Sequence, residues 1–159
     1  MQSHARHGQP AGKARGKWSG MKTSIATVSI SGALDAKLRA IAAAGFDGAE
    51  IFENELLSSH LSAREIAALM ADLGLACTMF PPFRDLEGLP DPQRQRAFDR
   101  LERKFDVMEE LGTDLLLVCS SCSAVAEGDR ARIMADLAEA GERAARRGLR
   151  LGYEALAWG

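Results

Sequence analysis

The side chains that could do chemistry share one position in the sequence, because each lies at or just after the end of a run of residues typical of a β-strand. They are Glu53, Asn54, Arg84, Ser120 and Glu154. Carboxylates bind divalent cations, a guanidinium pairs with carboxylates or phosphates, and amide and hydroxyl groups bind the hydroxyls of a ligand. These residue types predict a small-molecule site if the fold brings the strand ends together.

Glu154 lies in the apolar run 149–156, in which a strand is predicted. The period-two alternation of a strand places Gly152 and Glu154 on one face and Tyr153 on the other. A carboxylate in such a strand is costly unless it is paired or binds a cation. The residues alone leave two interpretations open, a salt bridge to a neighbouring strand or the ligation of a metal ion.

Arg84 follows Pro82 and Phe83, which restrict the loop and partly shield the guanidinium. The planar fork of donors suits the carboxylate or phosphate group of a substrate. The other interpretation is a salt bridge within the loop, to Asp85 or Glu87.

Three further features carry weaker signals. Glu53 at the end of the second predicted strand either contacts substrate hydroxyls or is solvated. Cys119 and Cys122 have the spacing of half a zinc motif, but a zinc site needs about four ligands and the sequence holds no second pair. His60 has no matching serine or cysteine and is predicted to lie in a surface loop.

A single strand–helix–glycine unit recurs along the chain and must position these residues. Strands are predicted at 24–29, 48–52, 75–80, 114–119 and 149–156, and helices at 34–44, 62–73, 92–111 and 131–147. Glycines end the four helices at intervals of 29, 38 and 36 residues. Pro81 and Pro82 are predicted to break the third strand. This order predicts parallel βαβ units with right-handed crossovers.

Two architectures contain five parallel strands and four helices. One is a complete doubly wound α/β domain, and the other is the beginning of an eight-stranded barrel, which usually needs about 250 residues. The chain stops shortly after the last predicted strand, with no fifth helix to cover it. We therefore expect a truncated (β/α)8 TIM barrel comprising its first five strands and four helices. It would span residues 21–159 and follow a disordered basic tail at residues 1–20.

Composition excludes several classes of function. No stretch approaches the roughly 20 apolar residues that a membrane helix needs. The net charge is −2, but residues 1–20 carry four basic and no acidic side chains, so the remainder carries −6. An acidic body argues against nucleic-acid binding. Three cysteines with no secretory signal favour a reducing, cytoplasmic location.

Several motifs resemble the bacterial 3-dehydroshikimate dehydratases of the sugar phosphate isomerase/epimerase superfamily, and together they cover residues 21–159. The Gly-Phe-Asp-Gly motif at 45–48 is common across that superfamily and is weak. More specific are Phe-Glu-Asn at 52–54, Pro-Phe-Arg-Asp at 82–85 and Tyr-Glu-Ala-Leu-Ala-Trp-Gly at 153–159. The resemblance implies the N-terminal part of a xylose-isomerase-like TIM barrel and the conversion of 3-dehydroshikimate to protocatechuate.

The resemblance also implies a divalent metal, Mg²⁺, Mn²⁺ or Co²⁺, held by four side chains near strand ends, of which Glu154 is the first. Arg84 would bind the substrate carboxylate, and Glu53, Asn54 and Ser120 would contact the ring hydroxyls. The other three metal ligands and the catalytic base are expected beyond the chain. We therefore expect the chain alone to be inactive.

Three expectations about partners and two alternative functions complete the interpretation. Some members of the resembled family carry a C-terminal 4-hydroxyphenylpyruvate-dioxygenase-like domain, which would be a missing partner here. Open sheet edges predict self-association into a homo-oligomer, and the ligand would be a small molecule. The alternatives are another isomerase or epimerase of the superfamily, and a non-catalytic α/β module.

Overall fold

The computed structural model describes residues 20–157, so the predicted tail at 1–20 lies, except for Gly20, outside the described residues. Five parallel strands form one sheet in the order β1-β2-β3-β4-β5. They are β1 (Ser24–Ala26), β2 (Gly48–Glu50), β3 (Ala76–Phe83), β4 (Leu115–Cys119) and β5 (Arg150–Glu154). The predicted parallel arrangement is confirmed at each of the four strand pairs.

Five α-helices connect the strands. They are α1 (Leu34–Ala43), α2 (Glu53–Leu57), α3 (Ala63–Asp72), α4 (Gln93–Leu111) and α5 (Arg130–Arg146). None of the helices within residues 20–157 combines the length and apolar character needed to cross a bilayer.

The helices cover one face of the sheet, as in a barrel. Helix α1 packs against α3, α3 against α4, and α4 against α5, while the strand order increases without a reversal. A doubly wound sheet would reverse its strand order and carry helices on both faces. The complete doubly wound domain is therefore the wrong interpretation, and the five parallel strands of a barrel are confirmed.

The hydrophobic core lies between the helices and the covered face of the sheet. In β4, Leu116 and Val118 are fully buried on this face, whereas Leu115 and Leu117 on the opposite face are half-buried. The largest fully buried side chains are Phe80, Phe98, Phe105, Leu38, Ile51, Ile66, Met70, Leu86, Leu101, Met108, Leu116 and Val118. The face away from the helices is called the open face below, because its side chains are less buried.

The structure confirms a predicted N-terminal capping box at α3 and a predicted C-terminal glycine at α4. The Ser62 hydroxyl accepts a hydrogen bond from the Glu65 backbone N–H, and the Glu65 carboxylate accepts one from the Ser62 N–H at 2.8 Å. This is a capping box, which satisfies two donors at the start of α3. Gly112 ends α4 with φ 70°, a left-handed conformation that costs glycine little because it lacks Cβ.

Helix α2 was not predicted, so the expected total of four helices is wrong. Its five residues are too few to show a helical period. A tertiary contact holds it instead, because the buried Lys37 ammonium bonds the Glu55 carboxylate at 2.5 Å and the Thr27 carbonyl at 3.1 Å.

Several strand boundaries were also wrong: β2 and β5 each end two residues before the predicted 52 and 156, and the ends of β1 and β3 differ more. Strand β3 continues through Pro81 and Pro82 to Phe83, and its register against β4 shifts between Phe80 and Phe83. Proline lacks an N–H and is tolerated where the ladder is irregular, so the two prolines lie inside the irregularity without ending the strand. At β1 the ladder ends at Ala26, and a 3₁₀ turn follows at Thr27–Ser29.

Candidate functional site

Glu154 is the last residue of β5 and lies beside Cys119 in the register of the β4–β5 pair. Neighbouring residues in register share a face of the sheet, so both lie opposite Val118, which packs under the helices. The Cys119 thiol donates a hydrogen bond to Glu154 Oε2 at 3.5 Å. Glu154 is exposed, so the carboxylate points from the open face rather than into the helix-covered core.

The carboxylate of Glu154 forms no ion pair with any side chain of residues 20–157, so the predicted alternative of a salt bridge to a neighbouring strand is not seen there. An accessible carboxylate without a counter-ion fits a hard divalent cation, which prefers oxygen donors. Within the described part of the chain no three His, Cys, Asp or Glu side chains are grouped as a metal site. The described residues therefore do not form a complete coordination shell by themselves.

The Arg84 side chain is exposed and forms no salt bridge with Asp85 or Glu87, so the predicted alternative of a salt bridge within the loop is not seen. Burial and the hydrogen bond to Glu154 raise the pKa of the Cys119 thiol, and the positive charge of Arg84 opposes that rise. The guanidinium is thus within electrostatic reach of Cys119, the register neighbour of Glu154.

A cavity of about 540 Å³ brings three of the predicted site residues together between α2, the end of β3 and α4. The predicted residues in its wall are Glu53, Asn54 and Arg84. The other charged lining residues are Asp85, Arg100, Arg103 and Lys104. Four cationic and two anionic side chains give the wall an excess of positive charge, which favours an anion.

Lys104 is a residue of this wall that sequence reasoning missed. Its side chain is 5% exposed and forms an ion pair with Glu53. The ammonium lies 4.8 Å from the ring centre of Phe80 and 5.7 Å from that of Phe83. Burial lowers the pKa of Lys104, and Glu53 opposes that shift. The signal in the sequence was a lysine beside Phe105 on the apolar stripe of α4.

The loops after β3 and β4 are joined through Asp85. Its Oδ1 accepts hydrogen bonds from the Cys122 backbone N–H at 3.0 Å and from the Ser121 hydroxyl at 3.4 Å. Arg100 donates to the carbonyls of Arg84 at 2.8 Å and Asp85 at 3.1 Å. Helix α4 therefore holds the backbone that directly follows the exposed Arg84 side chain.

Ser120 lies apart from the cationic cavity and borders a second cavity of about 520 Å³. Its hydroxyl accepts a hydrogen bond from the Leu156 N–H at 2.9 Å. Its own N–H donates to the Glu154 carbonyl at 2.9 Å. Ser120 therefore holds the backbone that directly follows the Glu154 side chain.

Glu87 is a second residue that the sequence did not single out. It is 3% exposed, and its Oε1 accepts hydrogen bonds from the Ser121 N–H at 2.7 Å and the Tyr153 hydroxyl at 2.9 Å. Burial and then Glu87 raise the pKa of Tyr153 to about 12. The signal was an acidic residue between apolar neighbours, Leu86 and Leu89.

Of the weaker motifs, the cysteine pair contacts the site through the Cys119 thiol and the Cys122 backbone N–H, and no grouping of metal ligands is found at it among residues 20–157. Cys77, Cys119 and Cys122 are free thiols. His60 is exposed beyond α2, as predicted for a surface loop.

The singly wound sheet with one open face and polar residues at the carboxyl ends of its strands defines part of a barrel. The chain belongs to the xylose isomerase-like TIM barrel family, whose family model matches residues 38–159.

Two curated relatives are similar over 87% of this chain, each with 60% identity over 139 residues. Both are named 3-dehydroshikimate dehydratase, one from Pseudomonas putida and the other from Pseudomonas aeruginosa. The chain spans about 22% of the length of each.

Solved structures agree with the fold. A fusion protein of a xylose isomerase-like TIM barrel and 4-hydroxyphenylpyruvate dioxygenase matches with a TM-score of 0.85 and 60% identity, over 87% of this chain and 22% of its own. The IolI protein, solved with a bound zinc atom, matches with a TM-score of 0.71 over 86% of this chain and 52% of its own. At 15% identity that likeness shows the fold alone.

Proposed function

We propose that this chain supplies one part of the active site of a metal-dependent 3-dehydroshikimate dehydratase, a hydro-lyase that forms protocatechuate. The observation that carries the proposal is the accessible Glu154 carboxylate at the end of β5, hydrogen-bonded to Cys119, with the Arg84 guanidinium within electrostatic reach of that thiol and without an acidic partner among residues 20–157. The 60% identity to two proteins of that name supports the substrate class.

Arg84 binds and orients the substrate carboxylate. The cationic wall favours an anion, and an exposed arginine with no acidic partner among residues 20–157 can present two parallel donors to a carboxylate. Asn54 and Glu53 line the same cavity and contact the ring hydroxyls. Lys104 holds the Glu53 carboxylate in place. Ser120 contacts a hydroxyl of the substrate through its O–H, while its oxygen keeps the bond to Leu156.

Glu154 is the one residue of the described chain that we assign to the divalent metal, Mg²⁺, Mn²⁺ or Co²⁺. When bound, such an ion supplies Lewis-acid stabilisation of negative charge next to a ketone. One carboxylate holds these ions weakly, because water keeps the rest of the coordination shell. The remaining ligands and the base that removes the proton are assigned to no residue of this chain, so we expect no turnover from it alone.

The proposed partners follow from the same comparison. A 4-hydroxyphenylpyruvate-dioxygenase-like domain accompanies the barrel in the similar fusion protein, and we propose the same association for the protein that contains this chain. Self-association through the sheet edges and a cytoplasmic location are proposed from the sequence.

A chimera tests the proposal. The segment of the Pseudomonas putida relative that matches this chain is replaced by the sequence of this chain, and protocatechuate formation from 3-dehydroshikimate is followed with Mn²⁺ present. We expect activity in the chimera and none in the purified 159-residue chain. The control variant is Glu142→Gln, an exposed residue of α5. An inactive but folded chimera, or activity that survives Glu154→Gln, overturns the proposal.

A further inference from the structure

We propose that Asp85 is a positioning residue that fixes Arg84 relative to Glu154 by joining the loop after β3 to the end of β5. The proposal rests on the proposed function, because it concerns the spacing of the carboxylate-binding group and the metal ligand. No part of it requires Asp85 to touch the substrate.

The backbone of Asp85 has an unusual conformation. Its φ is 53°, a positive value that no other non-glycine residue within 20–157 shows. The left-handed region is unfavourable for residues with Cβ, although aspartate and asparagine tolerate it better than most. Arg100 holds this turn by donating to the Arg84 and Asp85 carbonyls, and its guanidinium lies 4.9 Å from the ring centre of Phe83.

The side chain of Asp85 binds the neighbouring loop. The Cys122 N–H at 3.0 Å and the Ser121 hydroxyl at 3.4 Å both donate to Oδ1. A hydrogen bond to a charged acceptor is worth more than one between neutral groups. The carboxylate therefore orders the segment that directly follows β4.

The segment that Asp85 orders is the one that holds β5. Ser120 precedes Ser121 directly, and it bonds the Glu154 carbonyl and the Leu156 N–H, each at 2.9 Å. Hydrogen bonds and the short backbone between Ser120 and Cys122 thus connect α4, through Asp85, to the backbone that directly follows Glu154. A ligand that contacts Arg84 and a metal at Glu154 together requires that this distance be held within a fraction of an ångström.

Two substitutions separate the backbone role of Asp85 from its side-chain role. Asp85→Gly keeps the positive φ and removes the carboxylate, whereas Asp85→Asn keeps an oxygen acceptor and tolerates the same φ. Asp91→Gly, at an exposed position in the same connection between β3 and α4, is the matched control.

Amide hydrogen exchange, measured by NMR on the full 159-residue chain, gives the first readout. In Asp85→Gly we expect exchange at Cys122 and at Leu156 to accelerate about tenfold or more, the effect of losing a charge-assisted hydrogen bond. We expect Asp85→Asn, which keeps a neutral acceptor, to accelerate both amides less than Asp85→Gly does, and Asp91→Gly to leave both amides close to wild type. The Ile66 amide in α3, bonded to the Ser62 carbonyl, is the distant reference.

The second readout is the Arg84 Nε–H signal during titration with 3-dehydroshikimate. We expect a response in wild type and in Asp85→Asn, and a weaker response in Asp85→Gly. If amide exchange at Leu156 is unchanged in Asp85→Gly, Asp85 does not position the backbone after Glu154. The proposal is also overturned if exchange at Ile66 accelerates as much as at Leu156, because the effect is then general rather than local. A wild-type Arg84 signal that ignores the ligand instead counts against the proposed function, while the amide exchange still decides whether Asp85 joins the loops.

Discussion

The Lys104 ammonium forms an ion pair with the Glu53 carboxylate, and this contact joins α4 to the first residue of α2. The two groups differ in environment, since the Lys104 side chain is 5% exposed and that of Glu53 is 34% exposed. The lysine is therefore the partner that depends on the pairing, because its charge has little access to water.

Glu53→Gln leaves the Lys104 charge buried without a counter-ion. We expect a loss of about 1–3 kcal/mol of unfolding free energy, below the figure for a fully buried pair because Glu53 retains some solvent. Urea denaturation followed by circular dichroism measures the change. Adding Lys104→Met to Glu53→Gln should recover part of the loss.

The matched control for that experiment is the exposed pair of Arg64 and Glu110, 3.4 Å apart. Glu110→Gln should cost less than about 1 kcal/mol, because exposed ion pairs contribute little. Equal losses in Glu110→Gln and Glu53→Gln would show that burial of Lys104 does not matter.

The stability of the chain should respond to Tyr153 at high pH. The pKa of Tyr153 is raised from 10.0 to about 12 in the folded state. Between these values the unfolded state loses the proton first, so the contribution of Tyr153 is complete below pH 10.0 and is lost as the pH rises towards about 12. Tyr153→Phe should remove this component from the pH dependence of the unfolding free energy. A curve for Tyr153→Phe that keeps the wild-type slope in this window would contradict the assignment.

Gly48 and Gly152 are both strand glycines, but only one is tightly packed. A Cβ on Gly48 would lie 2.6 Å from Thr78 Cγ2 and 2.7 Å from the Ala76 carbonyl oxygen, whereas one on Gly152 would meet nothing closer than 3.7 Å. Gly48→Ala should therefore destabilise the chain by about 1–3 kcal/mol, the usual cost of overpacking. Gly152→Ala should be neutral or slightly stabilising. Thermal melts that rank the two variants the other way would refute this packing.

Arg84→Gln in the chimera should weaken substrate binding. Loss of a charge-assisted hydrogen bond predicts a KM for 3-dehydroshikimate about 10- to 100-fold higher, with a smaller change in kcat. Arg130→Gln, at the exposed start of α5, is the control. An unchanged KM in Arg84→Gln would assign the carboxylate to another residue.

The sequence predicted the regular part of the fold because its signals are local. Apolar periodicity and the glycines after each helix located five strands and four of the five helices. Helix α2 is short, and a contact between Lys37 and Glu55 that spans 18 positions helps hold it. Such a contact leaves no periodic signal in the residues around it.

In the candidate site too, local signals predicted some residues, whereas contacts between distant residues could not be predicted. Strand alternation placed Glu154 on the open face, and a flanking Pro-Phe pair marked the Arg84 loop. The pairing of Lys104 with Glu53 and that of Glu87 with Tyr153 join residues 51 and 66 positions apart. Only the folded chain brings them together, so sequence patterns could not identify them. The predicted ligand contacts of Asn54 and Ser120 stay predictions.

The proposed metal role of Glu154 is tested most directly by locating Mn²⁺ in crystals of the chimera by anomalous diffraction. The account predicts an Mn²⁺ peak about 2–2.5 Å from a Glu154 carboxylate oxygen, within the range of metal–oxygen bonds for hard divalent ions. Glu154→Gln crystals grown in the same Mn²⁺ should show that peak weakened or absent. An Mn²⁺ ion bound in the barrel with Glu154 outside its coordination shell would contradict the account.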